Sequence, residues 1–305
     1  MSTMTVGVIA PGEMGHAVGA TLREHGARVA TCLAGRGERS AERAERAGME
    51  VIGGDDDLVR RADLFLSIVP PAAAPALAGR IADAMRRTNT AVPYVDCNAI
   101  SPATTAAVGR TIAGAGALFI DAGIVGPPPK PGTPGPRFYT SGPDVQPLLS
   151  LRDFGLDVRP VGSRIGQASA LKMSYAALTK GLAALGGELL VAGTLGGVAD
   201  ALRAELANSQ PQLLQWLSRQ LPTVPPKAHR WVAEMEEIAK TFAGHGLPGA
   251  TMQGAAEFYE FVAQSALGHE RPGRRERGQT LEDVVETLAA ACSVSPRRSG
   301  SSPGC

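Results

Sequence analysis

Two short stretches carry residue types that could do chemistry. The first is Ala10-Pro11-Gly12-Glu13-Met14-Gly15, directly after the β-branched run at 5–10. It matches a Gly-x-Gly-x-x-Gly turn with alanine in place of the first glycine. In such a turn a pyrophosphate approaches backbone amides at a helix N-terminus, where a side chain would collide. Gly12 is the position that has to be bare. The second stretch, GQASALKMSYAALTKG at 166–181, reads as a helix of small and apolar residues that nevertheless carries Lys172 and Lys180. Lys172 shares a helical face with Ala176 and Thr179, so it looks out across small neighbours. The plain structural account of such a lysine is snorkelling from a packed helix. Lys180, two turns on and about 80° round the helix, reads as structural or peripheral.

The elements that must position these residues follow from the pattern around them. Apolar strand runs at 5–10, 27–33, 63–71, 91–102 and 117–126 alternate with helical segments at 38–49 and 75–87 and with the helix of SPATTAAVGRTIAGAG. Such alternation predicts βαβ units and a parallel sheet covered on both faces, with ligands beyond the carboxyl ends of the strands. From about Arg164 the pattern turns helical, at 165–193, 198–221, 227–245, 250–268 and 280–292, with Thr280 and Asp283 spaced as a cap for the last. The fold class is therefore α/β, a Rossmann-type parallel sheet domain (1–163) followed by an all-α domain (164–292). The segment 293–305, SVSPRRSGSSPGC, has the composition of a disordered tail.

The end of the second strand bears on which nucleotide fits. TCLAGRGERS has no acid there to hold a ribose hydroxyl, and offers Arg36, whose planar fork can pair with a 2′-phosphate. The expected cofactor is NADP(H) in preference to NAD(H). Arg39 reads as the start of a solvated helix face.

With 30 basic and 29 acidic side chains in 305 residues, bulk charge recruits neither nucleic acid nor an anionic membrane. Apolar residues make up 44% and charged residues 19%, as in globular proteins of the aqueous phase. Cys32, Cys97, Cys292 and Cys305 are scattered, and His16, His25, His229, His245 and His269 do not cluster with carboxylates. No metal site is expected, and reduced thiols fit a cytoplasm. The N-terminal residues lack a signal-peptide pattern, and no apolar run is expected to span a bilayer.

Five segments together resemble the β-hydroxyacid dehydrogenase family, which includes 3-hydroxyisobutyrate and 6-phosphogluconate dehydrogenases, over residues 5–265. The resemblance is to a branch with a 6-phosphogluconate-dehydrogenase-like C-terminal domain. GVIAPGEMG is similar to the family's cofactor loop and LSIVPP to the loop that lies along the cofactor. DCNAISP stands for Asp-x-Ser-Thr-x-x-Pro, DAGIVGPP for Asp-Ala-x-Val-Ser-Gly-Gly and GQASALK for Gly-x-Gly-x-x-x-Lys. The resemblance places Lys172 at the catalytic lysine, where an ammonium stabilises and protonates the alkoxide left by hydride transfer to a carbonyl. Burial would lower its pKa from about 10.4 towards neutrality. It also places Val69, Pro70 and Asn98 at the cofactor, and implies a homodimer through the helical domain.

The departures carry information too. The family's Ser-Gly-Gly is Val125-Gly126-Pro127, and its two asparagines after the lysine are Tyr175 and Ala176. The Ser-Thr pair is Asn98-Ala99, and a later Lys-Asp pair falls on Ala233-Glu234. Val125 has no side-chain hydrogen bond and Pro127 no amide proton. The implied substrate is bulkier, less polar or held by other groups, with Asn98, Gly123, Val125, Gly126, Tyr175, His229 and Glu234 as candidate contacts. Tyr175 reads equally as a core aromatic; Trp231, Met235, Ile238 and Phe242 read as a buried stripe. Three functions stay open: an NADP-dependent carbonyl/hydroxyl oxidoreductase with Lys172 as general acid/base, an imine reductase, and a catalytically silent NADP-binding protein.

Overall fold

The computed structural model describes residues 4–130, 133, 135–270 and 275–294. The chain divides into two compact units, Met1–Ala176 with Glu237–Gly249, and Ala177–Glu236 with Ala250–Cys305.

In the first unit, β1 (Thr5–Ile9), β2 (Arg28–Cys32), β3 (Glu50–Ile52), β4 (Leu64–Ser67), β5 (Tyr94–Asp96) and β6 (Phe119–Val125) run parallel in the order 3-2-1-4-5-6. β7 (Arg137–Ser141) pairs antiparallel with β6, and β8 (Asp157–Gly162) parallel with β7. Helices α1 (Glu13–Glu24), α2 (Glu38–Arg46), α3 (Asp55–Arg61), α4 (Ala74–Thr88), α5 (Pro102–Ala113) and α6 (Gln146–Leu149) connect them. The central strands are buried on both faces, which is why they read as unbroken apolar runs. Residues alternate between two cores. One gathers Phe65, Tyr94 and Phe119 with Leu77 and Ile81; the other gathers Leu64, Leu66, Val95 and Ile120 with Leu22 and Phe138.

Several elements escaped the sequence pattern. β3 is short and largely exposed, and α3 is an Asp/Arg segment with little apolar face. Ion pairs Asp55–Arg80 and Asp56–Arg87 tie α3 to α4, so its place is set by tertiary contact rather than periodicity. The strands expected at 63–71 and 91–102 stop at Ser67 and start at Tyr94, because Pro70, Pro71 and Pro93 cannot donate to a ladder. The boundary expected at 163/164 marks the end of the sheet. The compact unit continues to Ala176 because the first turns of α7 (Gln167–Leu195) pack on β6.

By length and composition α7 could cross a bilayer, which the sequence reading did not anticipate; half of its apolar window is buried inside the fold. In the second unit its glycines admit other helices of that unit. A Cβ on Gly186 would lie 2.2 Å from Leu217 and one on Gly187 2.6 Å from Phe258. The helix expected at 198–221 is two, α8 (Ala199–Ser209) and α9 (Pro211–Gln220). Pro211 excludes a helical conformation from the residue before it, and Gln210 sits at φ −137°, ψ 50°. α10 (Ala228–Gly244), α11 (Ala250–Gln264) and α12 (Leu281–Val294) complete the described helices. Thr280 caps α12 as expected, its Oγ1 accepting from Asp283 N at 3.2 Å. Of the tail expected at 293–305, residues 293 and 294 finish α12 and 295–305 lie outside the described residues.

Candidate active site

The nucleotide turn falls where the pattern placed it, between β1 and α1. Gly12 is the residue before α1, and no side chain caps that helix end. A Cβ on Gly12 would meet nothing within 4 Å, whereas one on Gly15 would lie 2.0 Å from the Ala10 carbonyl oxygen. Gly15 thus lets α1 press against the turn, and the open space at Gly12 beside a helix start that no side chain caps suits a pyrophosphate. Glu13 is exposed, Met14 partly so, and Pro11 buried. After β2 the chain turns through Arg36, whose amide donates to Leu33 O at 2.9 Å, with no acid at the strand end. The turn and helix start fit a dinucleotide.

The carboxyl ends of β1, β4, β5 and β6 are linked to one another. Ala10 N donates to Ile68 O at 3.1 Å, and Val69 N to Asn98 Oδ1 at 2.7 Å. Asn98, expected at the cofactor and substrate, is instead 2% exposed and braces these loops. Its Nδ2 donates to Ser67 Oγ at 2.8 Å and to Asp96 Oδ2 at 2.9 Å, so both amide hydrogens are committed. Of the loop after β4, Val69 is buried and Pro70 exposed.

Pairing aligns Ser67 with Asp96, Asp96 with Asp121 and Asp121 with Ser141, a polar row across four buried strands. Burial pushes the Asp96 carboxyl up to about 7; hydrogen bonds from Asn98 N and Nδ2 oppose this, and the Asp121 charge adds to it. Asp121 is also raised by burial, against the pull of its donors. Ser169 Oγ (2.6 Å), Ser141 Oγ (2.9 Å), Gly166 N (2.9 Å) and Ser169 N (3.1 Å) all donate to its carboxylate. Asp121 accepts from more donors than Asp96 does, and each of them favours its charged form.

This carboxylate sits at the head of α7. One turn further on, Lys172 Nζ donates to the Ile124 carbonyl oxygen at the end of β6. Lys172 is partly buried rather than looking into open space, and its charge acts on the buried Cys97 thiol after β5, lowering a pKa that burial raises. Gly123, read as a substrate contact, is where α7 seats: a Cβ would come 2.9 Å from Lys172 Cβ. Val125 is buried, Gly126 is exposed at φ +126°, a conformation that calls for glycine, and Tyr175 is half exposed. The Pro/Gly segment that follows is described except at 131, 132 and 134.

A third buried carboxylate works elsewhere in this unit. Glu237 of α10 accepts from Ser101 N and Thr104 Oγ1, both at 2.8 Å, at the start of α5, and from Lys240 at 2.7 Å. Burial pushes its pKa up, but bonds from Lys240, Ser101 and Thr104 outweigh that and hold it low.

His229 and Glu234 belong to the second unit. Glu234 pairs with Lys180 at 2.8 Å, both side chains about one-sixth exposed, and the Lys180 ammonium lies 5.2 Å from the Trp231 ring. Tyr259 Oη donates to Lys180 O at 2.6 Å. Lys180, read as structural or peripheral, is held by this ion pair and ring contact within the second unit. Trp231, Met235 and Ile238 are buried as expected, and Phe242 partly so. Asp96, Asp121, Ser141, Ser169 and Glu237 were not singled out in the sequence. The available signal was an aspartate inside otherwise apolar strands, YVD and FID. Among the described residues no cluster with metal-ligand potential occurs.

An uncapped helix start after the first strand of a 3-2-1-4-5-6 sheet defines a dinucleotide-binding α/β protein. Residues 1–100 match the family model described as acetohydroxy acid isomeroreductase, NADPH-binding domain, and residues 194–262 match a domain of unknown function, DUF1932. An uncharacterised 28.5 kDa protein of Methanothermus fervidus is 29% identical over 207 residues, covering 68% of this chain and 78% of that protein. The solved structure of the conserved protein MTH1747, described as similar to 3-hydroxyacid dehydrogenases, is 27% identical with TM-score 0.64, over 85% of this chain and 97% of that one. Mycobacterium tuberculosis 3-hydroxyisobutyrate dehydrogenase shares the fold at 18% identity (TM-score 0.69, 94% of this chain and 99% of that one). A Streptomyces aurantiacus imine reductase does so at 18% (TM-score 0.52, 93% and 99%). Together these matches make the chain similar to 3-hydroxyacid dehydrogenase-like proteins, with a DUF1932 match in its C-terminal part.

Asp96 gives a stability test. Its folded pKa of about 7 lies above the unfolded carboxylate value of about 3.9. Folding therefore takes up a proton, and the associated stability is complete below about pH 4 and lost as pH rises through about 7. Melting temperature should fall more steeply between pH 5 and 8 in the wild type than in Asp96→Asn. Parallel curves for the two would refute the assignment.

Proposed function

We propose that the protein is an NADP-dependent oxidoreductase interconverting a carbonyl and a hydroxyl on a hydroxy-acid-like or less polar small molecule, with Lys172 as general acid/base. The observation that carries this is the Lys172 amine, held by the Ile124 carbonyl at the carboxyl edge of the sheet whose first strand feeds the nucleotide turn. The amides around Gly12 would hold the pyrophosphate and Arg36 the 2′-phosphate. The dinucleotide, when bound, supplies or accepts the hydride. Lys172 gives its proton to the substrate oxygen in reduction, and as a neutral amine takes the hydroxyl proton in oxidation. Val125 and Pro127 offer no polar side chain or amide proton where the family's serine and glycine stand, which favours a less polar substrate.

Scattered cysteines support a reducing cytoplasm, and near-neutral net charge supports a small-molecule substrate rather than a nucleic-acid or membrane partner. A homodimer through the helical unit is supported by Leu178, Leu185 and Leu195, which are 65%, 58% and 51% exposed on α7.

Three measurements test these statements. Lys172→Ala should keep its NADPH dissociation constant in a fluorescence titration but lose about 10²–10⁴-fold in kcat against a panel of 3-oxo acids, 3-hydroxy acids and cyclic imines. Undiminished turnover in that variant defeats the acid/base role, turnover of imines alone selects the imine reductase, and binding without any turnover selects the silent binding protein. Arg36→Ala should weaken NADPH binding about tenfold or more and leave NADH binding unchanged; equal loss for both refutes the phosphate role. Light scattering should give a dimer that Leu178→Glu with Leu185→Glu converts to monomer. A monomeric wild type removes that proposal.

A further inference from the structure

We infer that Asp121 is the positioning residue for Lys172, fixing where along β6 the head of α7 sits and so where the Lys172 amine stands. This rests on the role proposed for Lys172. It goes beyond that role by assigning the group that aims the amine.

The geometry has two parallel rungs. Asp121 on β6 meets Ser169 on α7, and three residues along each element Ile124 meets Lys172. Three residues advance about 4.5 Å in a helix and about 10 Å in a strand, and the long lysine side chain spans the difference. Between the rungs, bare Gly123 lets the helix seat directly on the strand, with a Cβ there 3.0 Å from the Ala168 carbonyl oxygen. The lower rung is braced from both sides. Ser141, directly opposite Asp121 on β7, donates to the carboxylate and accepts from Ala168 N at 2.9 Å. Thr105 of α5 lies 2.8 Å from Ser169 Oγ, whose own hydrogen goes to Asp121. Thus the amides of Gly166 and Ser169 end on Asp121 directly, and that of Ala168 through one hydroxyl.

The charge is required as well as the shape. Three donors converge on Asp121 Oδ2 and Ser169 Oγ donates to Oδ1; an amide nitrogen at Oδ1 would force Ser169 to accept and turn its hydrogen to Thr105, and would remove the charge these donors solvate. Negative charge is also matched to the positive end of α7. Fully buried, Asp121 cannot itself exchange protons with a substrate. Its effect has to pass through α7.

The test reads Lys172 directly and needs no substrate. Reductive ¹³C-methylation labels the lysines of the intact protein, and loss of one signal in Lys172→Arg assigns that of Lys172. In Asp121→Asn the titration midpoint of this signal should move by about half a pH unit or more, and in Ser141→Ala by less. Glu237→Gln removes a different buried carboxylate anchor and should leave the midpoint at the wild-type value. An Asp121→Asn protein that folds and titrates Lys172 like wild type overturns the inference, as does an equal shift in Glu237→Gln. Should Asp121→Asn fail to fold, Ser141→Ala decides by the same criterion, an unmoved midpoint counting against it. The turnover of Lys172→Ala judges the proposed reaction separately, so loss of one conclusion leaves the other standing.

Discussion

A carboxylate buried in the middle of a sheet is the constraint around which the first unit is organised. Removing an ion from water costs several kcal/mol even after the protein relaxes, so Asp121 is tolerable only when its surroundings supply donors. They come from β7, from the chain entering α7 and from α7 itself. None of these is a sequence neighbour of Asp121. The pairing of β6 with β7 has to be in register, and α7 has to begin where it does, before the carboxylate is satisfied. Ser169 is then available to Thr105, which ties in α5. A requirement at one atom therefore propagates to two strands and two helices.

Much of the nucleotide-binding half was legible because its signals are local. A β-branched run, a bare glycine and a helix start lie within a dozen residues, and doubly covered strands announce themselves as continuous apolar runs. The polar row was not legible, since Ser67, Asp96, Asp121 and Ser141 come from strands far apart in the chain and are brought level only by register. Asn98 illustrates the same limit. Its residue type suits a ligand contact as well as an internal brace, and only the positions of Val69, Ser67 and Asp96 decide between them. Gly123 was found in the right motif for a different reason: the missing side chain makes room for α7. The break at Gln210 was readable in principle from Pro211, but apolar spacing on either side masked it.

The helical unit distributes its side chains along α7 by size. Glycines meet Leu217 and Phe258, where backbones must come close, while leucines at 178 and 185 stay uncovered. Lys180 and Glu234 pair beside Trp231, and the Tyr259 hydroxyl closes on the backbone of the same lysine. The two lysines of α7 thus have unlike surroundings: Lys172 ends on a strand carbonyl, Lys180 on an ion pair and an aromatic face. Spacing alone separated them; the neighbours say why.

The residues in which this chain departs from the motifs it resembles stand apart from the donors to Asp121. Val125, Pro127, Tyr175 and Ala176 line or adjoin the same stretch of β6 and α7, yet none of them supplies a hydrogen to Asp121. On the mechanism proposed above, recognition of the substrate and delivery of the proton fall to separate sets of positions on shared elements. The first set can change, serine to valine or asparagine to tyrosine, without removing a donor from the second, so one scaffold can carry walls of different polarity.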